Sequence, residues 1–200
     1  TDVVLDMPYI PHARMDRVKS DEDVFTLKYF CEVINSLNFK IVWVRDAHSN
    51  VSLALLDRVE DTGVEPYIHK ATLASNAEVL FFPDEGAMKR YSDKSPLPYA
   101  FGMKKRDWTT GKILGLDIIN AENVKDKNVL IVDDICSRGG TFLHSAKKLK
   151  ELGANDIYLY VSHCENTILE GELLNGDLIK KVYTTDSIFT KSHEKIEVLK

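Results

Sequence analysis

VLIVDDICSRGGT, residues 129–141, is the stretch whose reading decides the fold. Its four apolar residues Val129, Leu130, Ile131 and Val132 read as a strand buried on both faces, as parallel strands usually are. Asp133 and Asp134 follow where that strand is expected to end. Ser137, Arg138, Gly139 and Gly140 make a short loop, and Thr141 opens a helix expected to run to about Leu152. Glycines let an anion approach the backbone, and the first N–H groups of a helix lack internal partners, so loop and helix start together form an anion pocket. Open parallel sheets bind ligands at the carboxyl ends of their strands, where this loop falls. Two carboxylates would repel a bare phosphate. They suit sugar hydroxyls, or a Mg²⁺ that travels with a nucleotide. An acidic turn explains Asp133 and Asp134 equally well when they are taken alone; the glycine loop and helix beside them favour the ligand.

Working outward, 200 residues with 44% hydrophobic content can bury one sizeable core or two small ones. The net charge of −5 comes with no run of basic residues, which argues against a nucleic-acid surface. No apolar run reaches the roughly 18 residues of a membrane span, and no signal peptide is visible. Cys31, Cys136 and Cys164 are far apart and form no CxxC, so reduced thiols in a cytoplasmic protein are expected. There is no internal repeat. The chain starts at Thr1 without methionine and enters DVVLDMPYI at once, which leads us to expect a missing N-terminal part.

Val3 to Leu5 read as a strand, and Pro8 and Pro11 forbid a helix before about Ala13. Arg14, Asp16 and Arg17 crowd the next loop; they suit a polyphosphate, or simply a solvated charged loop. Ser20 and Asp23 resemble a capping box ahead of Val24, Leu27, Cys31 and Ile34 at helical spacing. Ile41 to Val44 is the next strand, followed by Arg45, Asp46 and His48; a lone histidine is more often structural, but this one lies two residues from a carboxylate at a strand end. Residues 53 to 76 carry no clear signal. Val79 to Phe82 is a third apolar run, ending in Pro83, Asp84, Glu85 and Gly86. All three polar strand ends are expected on the same edge of one parallel sheet.

Tyr99 to Gly102 reads as a short strand, and MKKRDWTTGK (103–112) as either a mobile flap bearing Lys104, Lys105 and Arg106 or an exposed hairpin. Strands are expected at Ile113 to Ile119, Ile157 to Val161, Asp177 to Tyr183 and Ile196 to Leu199, with Gly153 as a helix C-cap. Alternation of strands and helices gives an α/β fold of parallel sheets flanked by helices. Two halves are expected, 1–65 and 66–200, the first incomplete.

The order of these pieces resembles ribose-phosphate pyrophosphokinase, the PRPP synthetase family, over nearly the whole chain. PYIPHARMDR is similar to that family's PYxPYARQDR, RDAHSN to DLHxxQ, FPDEGAMKR to SPDxGGxxR, MKKR to the flexible-loop KxR, and VDDICSRGGT to VDDxxDTxGT. The resemblance implies a phosphoribosyltransferase-like fold in two similar halves, Mg²⁺ and ATP, and transfer of the β,γ-diphosphate of ATP to the anomeric hydroxyl of ribose 5-phosphate. It puts Arg14, Met15 and Asp16 in the ATP loop and His48 and Asp84 on the metal. Lys104 and Arg106 would stabilise the transferred group. Asp133 and Asp134 would take the ribose hydroxyls, and Ser137, Arg138, Gly139, Gly140 and Thr141 the acceptor's phosphate. It also implies a homo-oligomer.

The sequence departs from the family pattern in three ways. The family's N-terminal block is absent. Met15 replaces a glutamine and Ala87 a glycine. Ser137 and Arg138 stand where the family has Asp-Thr, which is expected to make the pocket more positive and to favour a larger acceptor such as ADP-ribose. A phosphoribosyltransferase needs only the central loop and leaves Arg14, His48 and Asp84 without a job. A non-catalytic regulatory relative would fit the absent block but not the retained Lys104, Arg106 and acid pair.

Overall fold

Two sheets organise the chain. A computed structural model describes residues 2–18, 20–106 and 113–200, with only the backbone of 104–106 and 113–116. The chain divides into two compact units, Thr1–Val64 and Glu65–Lys200.

The first unit holds a three-stranded sheet in the order β1 (Val4–Asp6), β2 (Ile41–Val44), β3 (Val59–Asp61), all parallel. Helix α1 (Thr26–Ser36) buries Leu27 and Cys31 against Val42 and Val44, with Ile10, Ala13 and Leu56 completing the core. Helix α2 (Asn50–Leu55) connects β2 to β3. The expected capping box forms in part. The Ser20 N–H donates to Asp23 Oδ2 at 3.0 Å, yet it closes an isolated turn, and α1 starts only at Thr26. Val24 accordingly stays exposed rather than joining the core.

The second unit holds a seven-stranded sheet. In chain order its elements are α3 (Glu65–Ser75), β4 (Val79–Phe82), α4 (Glu85–Tyr91), β5 (Tyr99–Arg106), β6 (Ile113–Ile119), β7 (Val129–Cys136), α5 (Gly140–Glu151), β8 (Ile157–Cys164), β9 (Val182–Thr185) and β10 (Ile196–Leu199). The strand order is β10-β9-β8-β7-β4-β5-β6, parallel throughout except for antiparallel β6. All four residues of β4 are buried, as a central parallel strand requires. Helix α5 buries Phe142, Ala146 and Leu149 at helical spacing against Ile131, Leu159 and Val161. Burial of Phe142 and of Leu149 contributes about 1.5–3 kcal/mol each. Its end is a Schellman motif: Gly153 (φ +86°) donates its N–H to the Lys150 carbonyl, and Ala154 to that of Leu149.

Several expectations need correction. β2 lies in the first unit's sheet, so its polar end does not share a sheet edge with those of β4 and β7. β7 does not stop at Val132. Asp133, Ile135 and Cys136 stay in register with Val161, His163 and Cys164 of β8, because β8 is equally long and offers them ladder partners. The ninth strand starts at Val182, not Asp177. β3 arises within the unread stretch 53–76. Met103–Arg106 extend β5 alongside β6, with a register shift between Lys105 and Arg106, while 107–112 lie outside the described residues. No helix among the described residues is long and apolar enough to cross a membrane.

Candidate functional site

The turn from β7 into α5 is shaped by its two glycines. Gly139 caps the helix with φ +79°, and a Cβ there would sit 2.7 Å from Leu173, so glycine is required on both counts. A Cβ on Gly140 would meet nothing within 4 Å, so the loop is open on that side. From behind, the segment 165–171 holds it. The Glu165 N–H donates to the Cys136 carbonyl at 2.8 Å. Gly171 backs onto Arg138 so closely that a Cβ there would lie 2.0 Å from its carbonyl oxygen.

The loop's side chains are engaged by the same segment. The Thr167 hydroxyl donates to Glu165 Oε2 at 3.0 Å, and the Ser137 and Thr167 hydroxyls are 3.1 Å apart. A carboxylate only accepts, so Thr167 has used its proton and Ser137 must donate to it. Ser137 therefore turns lone pairs towards its other neighbours, as the family's aspartate would. Arg138 donates to Glu170 Oε2 at 2.8 Å. The expected gain in positive charge is thus offset: the acid missing at 137 reappears at Glu165, and the added cation is paired.

The acids stand in front of this loop. Asp133 Oδ1 accepts the Asp134 N–H at 2.9 Å. Burial, then the charges of Asp134 and Asp84, push the Asp133 carboxyl well above the usual carboxylate range. Asp134 is buried, and Arg90 Nη1 from α4 lies 3.4 Å from its Oδ1. Asp84 caps α4, its Oδ1 accepting the Ala87 N–H at 3.0 Å, and is itself exposed. In the second unit the structure therefore brings Asp84, Asp133, Asp134 and the loop 137–141 to adjacent strand ends.

The first unit gathers the other predicted residues. Asp16 is buried and receives Arg17 Nε at 2.9 Å. Burial would raise its carboxyl, but Arg17, the Ser49 hydroxyl and the charge of His48 outweigh that and lower it. His48 and Asp16 are thus neighbours, as the two loops require. Arg14 and Met15 are exposed on the same loop, where the Met15 N–H donates to the His12 carbonyl. The loop after β2 is fixed from β3. Asp61 accepts the N–H groups of Asp46 at 3.1 Å, Ala47 at 3.3 Å and Gly63 at 3.0 Å. Asp46 has φ +51° and so needs such an anchor.

Sequence reasoning missed Asp61, which sits in the unread stretch, as well as Glu165, Thr167 and Glu170. It also left Arg90 without a role, although Arg90 ends the FPDEGAMKR segment. The side chains of Lys104 and Arg106 lie outside the described residues.

Magnesium fits this donor set. It takes oxygen ligands, and one or two carboxylates plus substrate phosphates suffice. Asp84 has an oxygen beyond its cap bond, and the acids around Asp133 need positive compensation. Among the described residues no three His, Cys, Asp or Glu side chains gather as a closed cage.

Comparison with known proteins settles the family. The model of the phosphoribosyl transferase domain matches residues 72–191, more than half of the chain. The chain belongs to the phosphoribosyl transferase domain family. Within it, the motif resemblance to ribose-phosphate pyrophosphokinase is borne out. The protein of that name from Saccharolobus solfataricus is 28% identical over 163 residues, 78% of this chain and 55% of the relative. That from Bacillus subtilis is 27% identical over 205 residues, 97% of this chain and 62% of the relative. The chain thus spans little more than half the length of these relatives. The crystal structure of phosphoribosylpyrophosphate synthetase from Mycobacterium smegmatis shares the fold, with a TM-score of 0.79 at 19% identity over 100% of this chain and 67% of that one.

Proposed function

We propose that this chain carries out Mg²⁺-dependent transfer of the diphosphate of ATP to the anomeric hydroxyl of ribose 5-phosphate, giving PRPP and AMP. One observation carries the reading. The transferase-domain match is confined to 72–191, yet the first unit holds a second ordered polar site, Asp16 with His48, on a loop anchored by Asp61. A transferase that only consumes PRPP has no use for it, and the pyrophosphokinase relatives extend across it.

In this reading Arg14, Met15 and Asp16 hold the nucleotide. The Gly139–Thr141 turn and the N–H groups of α5 hold the acceptor's phosphate. Asp133 and Asp134 fix the ribose hydroxyls and so orient the anomeric oxygen for attack. Lys104 and Arg106 place charge on the transferred group. Phosphoryl transfer asks the protein for alignment and positive charge, not for a covalent intermediate. Asp84 would hold the Mg²⁺ together with the ATP phosphates, whose charge the ion would neutralise when bound, and His48 would serve the nucleotide loop beside Asp16.

The chain would act as a homo-oligomer. Parallel sheets are normally covered on both faces, and Val4 and Trp43 on β1 and β2 are about two-fifths exposed. Three free, buried cysteines among the described residues fit a reducing cytoplasm. ADP-ribose has no terminal phosphate monoester to seat on the N–H groups of α5, so ribose 5-phosphate is the better candidate.

The test is AMP production from ATP by the full-length protein with Mg²⁺, using ribose 5-phosphate and ADP-ribose in parallel. Turnover with ribose 5-phosphate is expected. ATP binding without turnover on either acceptor would replace this reading with a regulatory one.

A further inference from the structure

The acceptor loop carries one cation whose partner is not part of the loop. The Arg138 backbone is fixed: it immediately precedes the left-handed Gly139, and its carbonyl is pressed against Gly171. Its side chain is not fixed in the same way. The guanidinium meets Glu170 Oε2 at 2.8 Å, and the two side chains are 68% and 58% exposed. An ion pair that open to water is held weakly. A doubly charged phosphate seated on the N–H groups of α5 offers the same guanidinium a stronger partner, because its oxygens carry more charge and accept two parallel N–H bonds. The open side of the loop at Gly140 leaves room for that approach.

We propose that Glu170 is a specificity-determining residue that competes with the acceptor's phosphate for Arg138. The inference rests on the acceptor-site reading above. Glu170 sets how much of Arg138's charge the loop offers. A singly charged anion gains little by taking the guanidinium, whereas a phosphate monoester gains enough to displace Glu170. The pairing therefore filters for acceptors with a terminal dianionic phosphate. Glu170 touches neither acceptor nor nucleotide in this scheme and acts only through Arg138.

The experiment is calorimetric binding of ribose 5-phosphate to the full-length protein and to Glu170→Gln, Glu170→Ala, Arg138→Ser and the Glu170→Gln/Arg138→Ser double variant. Both Glu170 variants should bind up to about fivefold more tightly, the ratio matching the strength of an exposed pair. Arg138→Ser should bind more weakly than the wild type, and Glu170→Gln should have no effect in its background. That non-additivity is what a merely structural role for Glu170 would not produce. If the wild type binds ribose 5-phosphate and the Glu170 variants bind it equally well, this inference is overturned while the acceptor site stands. If the wild type binds none, the acceptor site falls and this inference falls with it.

Discussion

Arg90 Nη1 lies 3.4 Å from Asp134 Oδ1, which ties helix α4 to the buried acid on the neighbouring strand β7. The pair divides the labour of two adjacent carboxylates. Asp134 has a guanidinium to offset its charge. Asp133 has instead burial and two acidic neighbours, which push its carboxyl well above the usual carboxylate range.

Arg90→Met should therefore destabilise the second unit. It leaves a 6%-exposed carboxylate without its guanidinium, and losing a charged partner in such a place costs about 1–3 kcal/mol. Urea unfolding measures it. Asp134→Asn in the same chain should recover part of the loss, since the double variant buries no unpaired charge. Additive losses would mean the two residues do not interact.

The raised Asp133 carboxyl makes a pH prediction. The folded state binds this proton more tightly than the unfolded state does. Its contribution is full below the ordinary carboxylate range and is lost as pH rises through the raised value. Asp16 acts in the opposite sense: its lowered carboxyl adds stability above the ordinary range, lost as pH falls below about 4. Above the ordinary carboxylate range the Asp133 and Asp16 effects therefore separate, and only that of Asp133 changes with pH there. Unfolding of Asp133→Asn across that window should lack a fall in stability that the wild type shows, and the variant should be the more stable protein at pH 7.

What could be read in the sequence follows from where the physics is local. β4, β7 and β8 announce themselves by runs of apolar residues, and the Gly153 cap by its position after a helical pattern. The polar ends of β7 and β8 misled because the ladder continues through Asp133 to Cys136 wherever a partner strand is long enough, which no single segment reveals. β3 is three residues, Val59-Glu60-Asp61, and two of them are charged. The capping-box pattern at Ser20 formed its hydrogen bond and still nucleated no helix, since Val24 finds nothing to pack against. The glycine loop, the acid pair, Asp84 and His48 were legible as residue types. Their supports, Arg90, Asp61 and Glu165–Glu170, come from other elements and depend on tertiary placement.

Asp61 is the support that a nucleotide would feel most. It accepts three backbone N–H groups around the loop bearing His48. Asp61→Ala orphans those donors, at about 1–3 kcal/mol for each one kept from water. Amide hydrogen exchange at Asp46 and Ala47 should speed up, and the affinity for ATP should drop, while ribose 5-phosphate binding in the second unit is unchanged. Protected amides with unaltered ATP affinity would show that the loop holds its shape without Asp61.

The two glycines of the acceptor loop should separate stability from binding. Gly139→Ala must force a side chain into a left-handed backbone and towards Leu173 at 2.7 Å, so it should lower stability by about 1–3 kcal/mol. Gly140→Ala meets no atom within 4 Å and begins a helix, where alanine is preferred. Its melting temperature should hold or rise, by about 0.4–1 kcal/mol of added stability. The new methyl group nevertheless points into the space through which a phosphate reaches the first N–H groups of α5. Ribose 5-phosphate affinity should therefore fall in a protein that is as stable as the wild type or more so. Calorimetric binding beside a thermal melt distinguishes the cases. A Gly140→Ala protein that binds ribose 5-phosphate as the wild type does would show that the phosphate does not approach α5 from the side of Gly140.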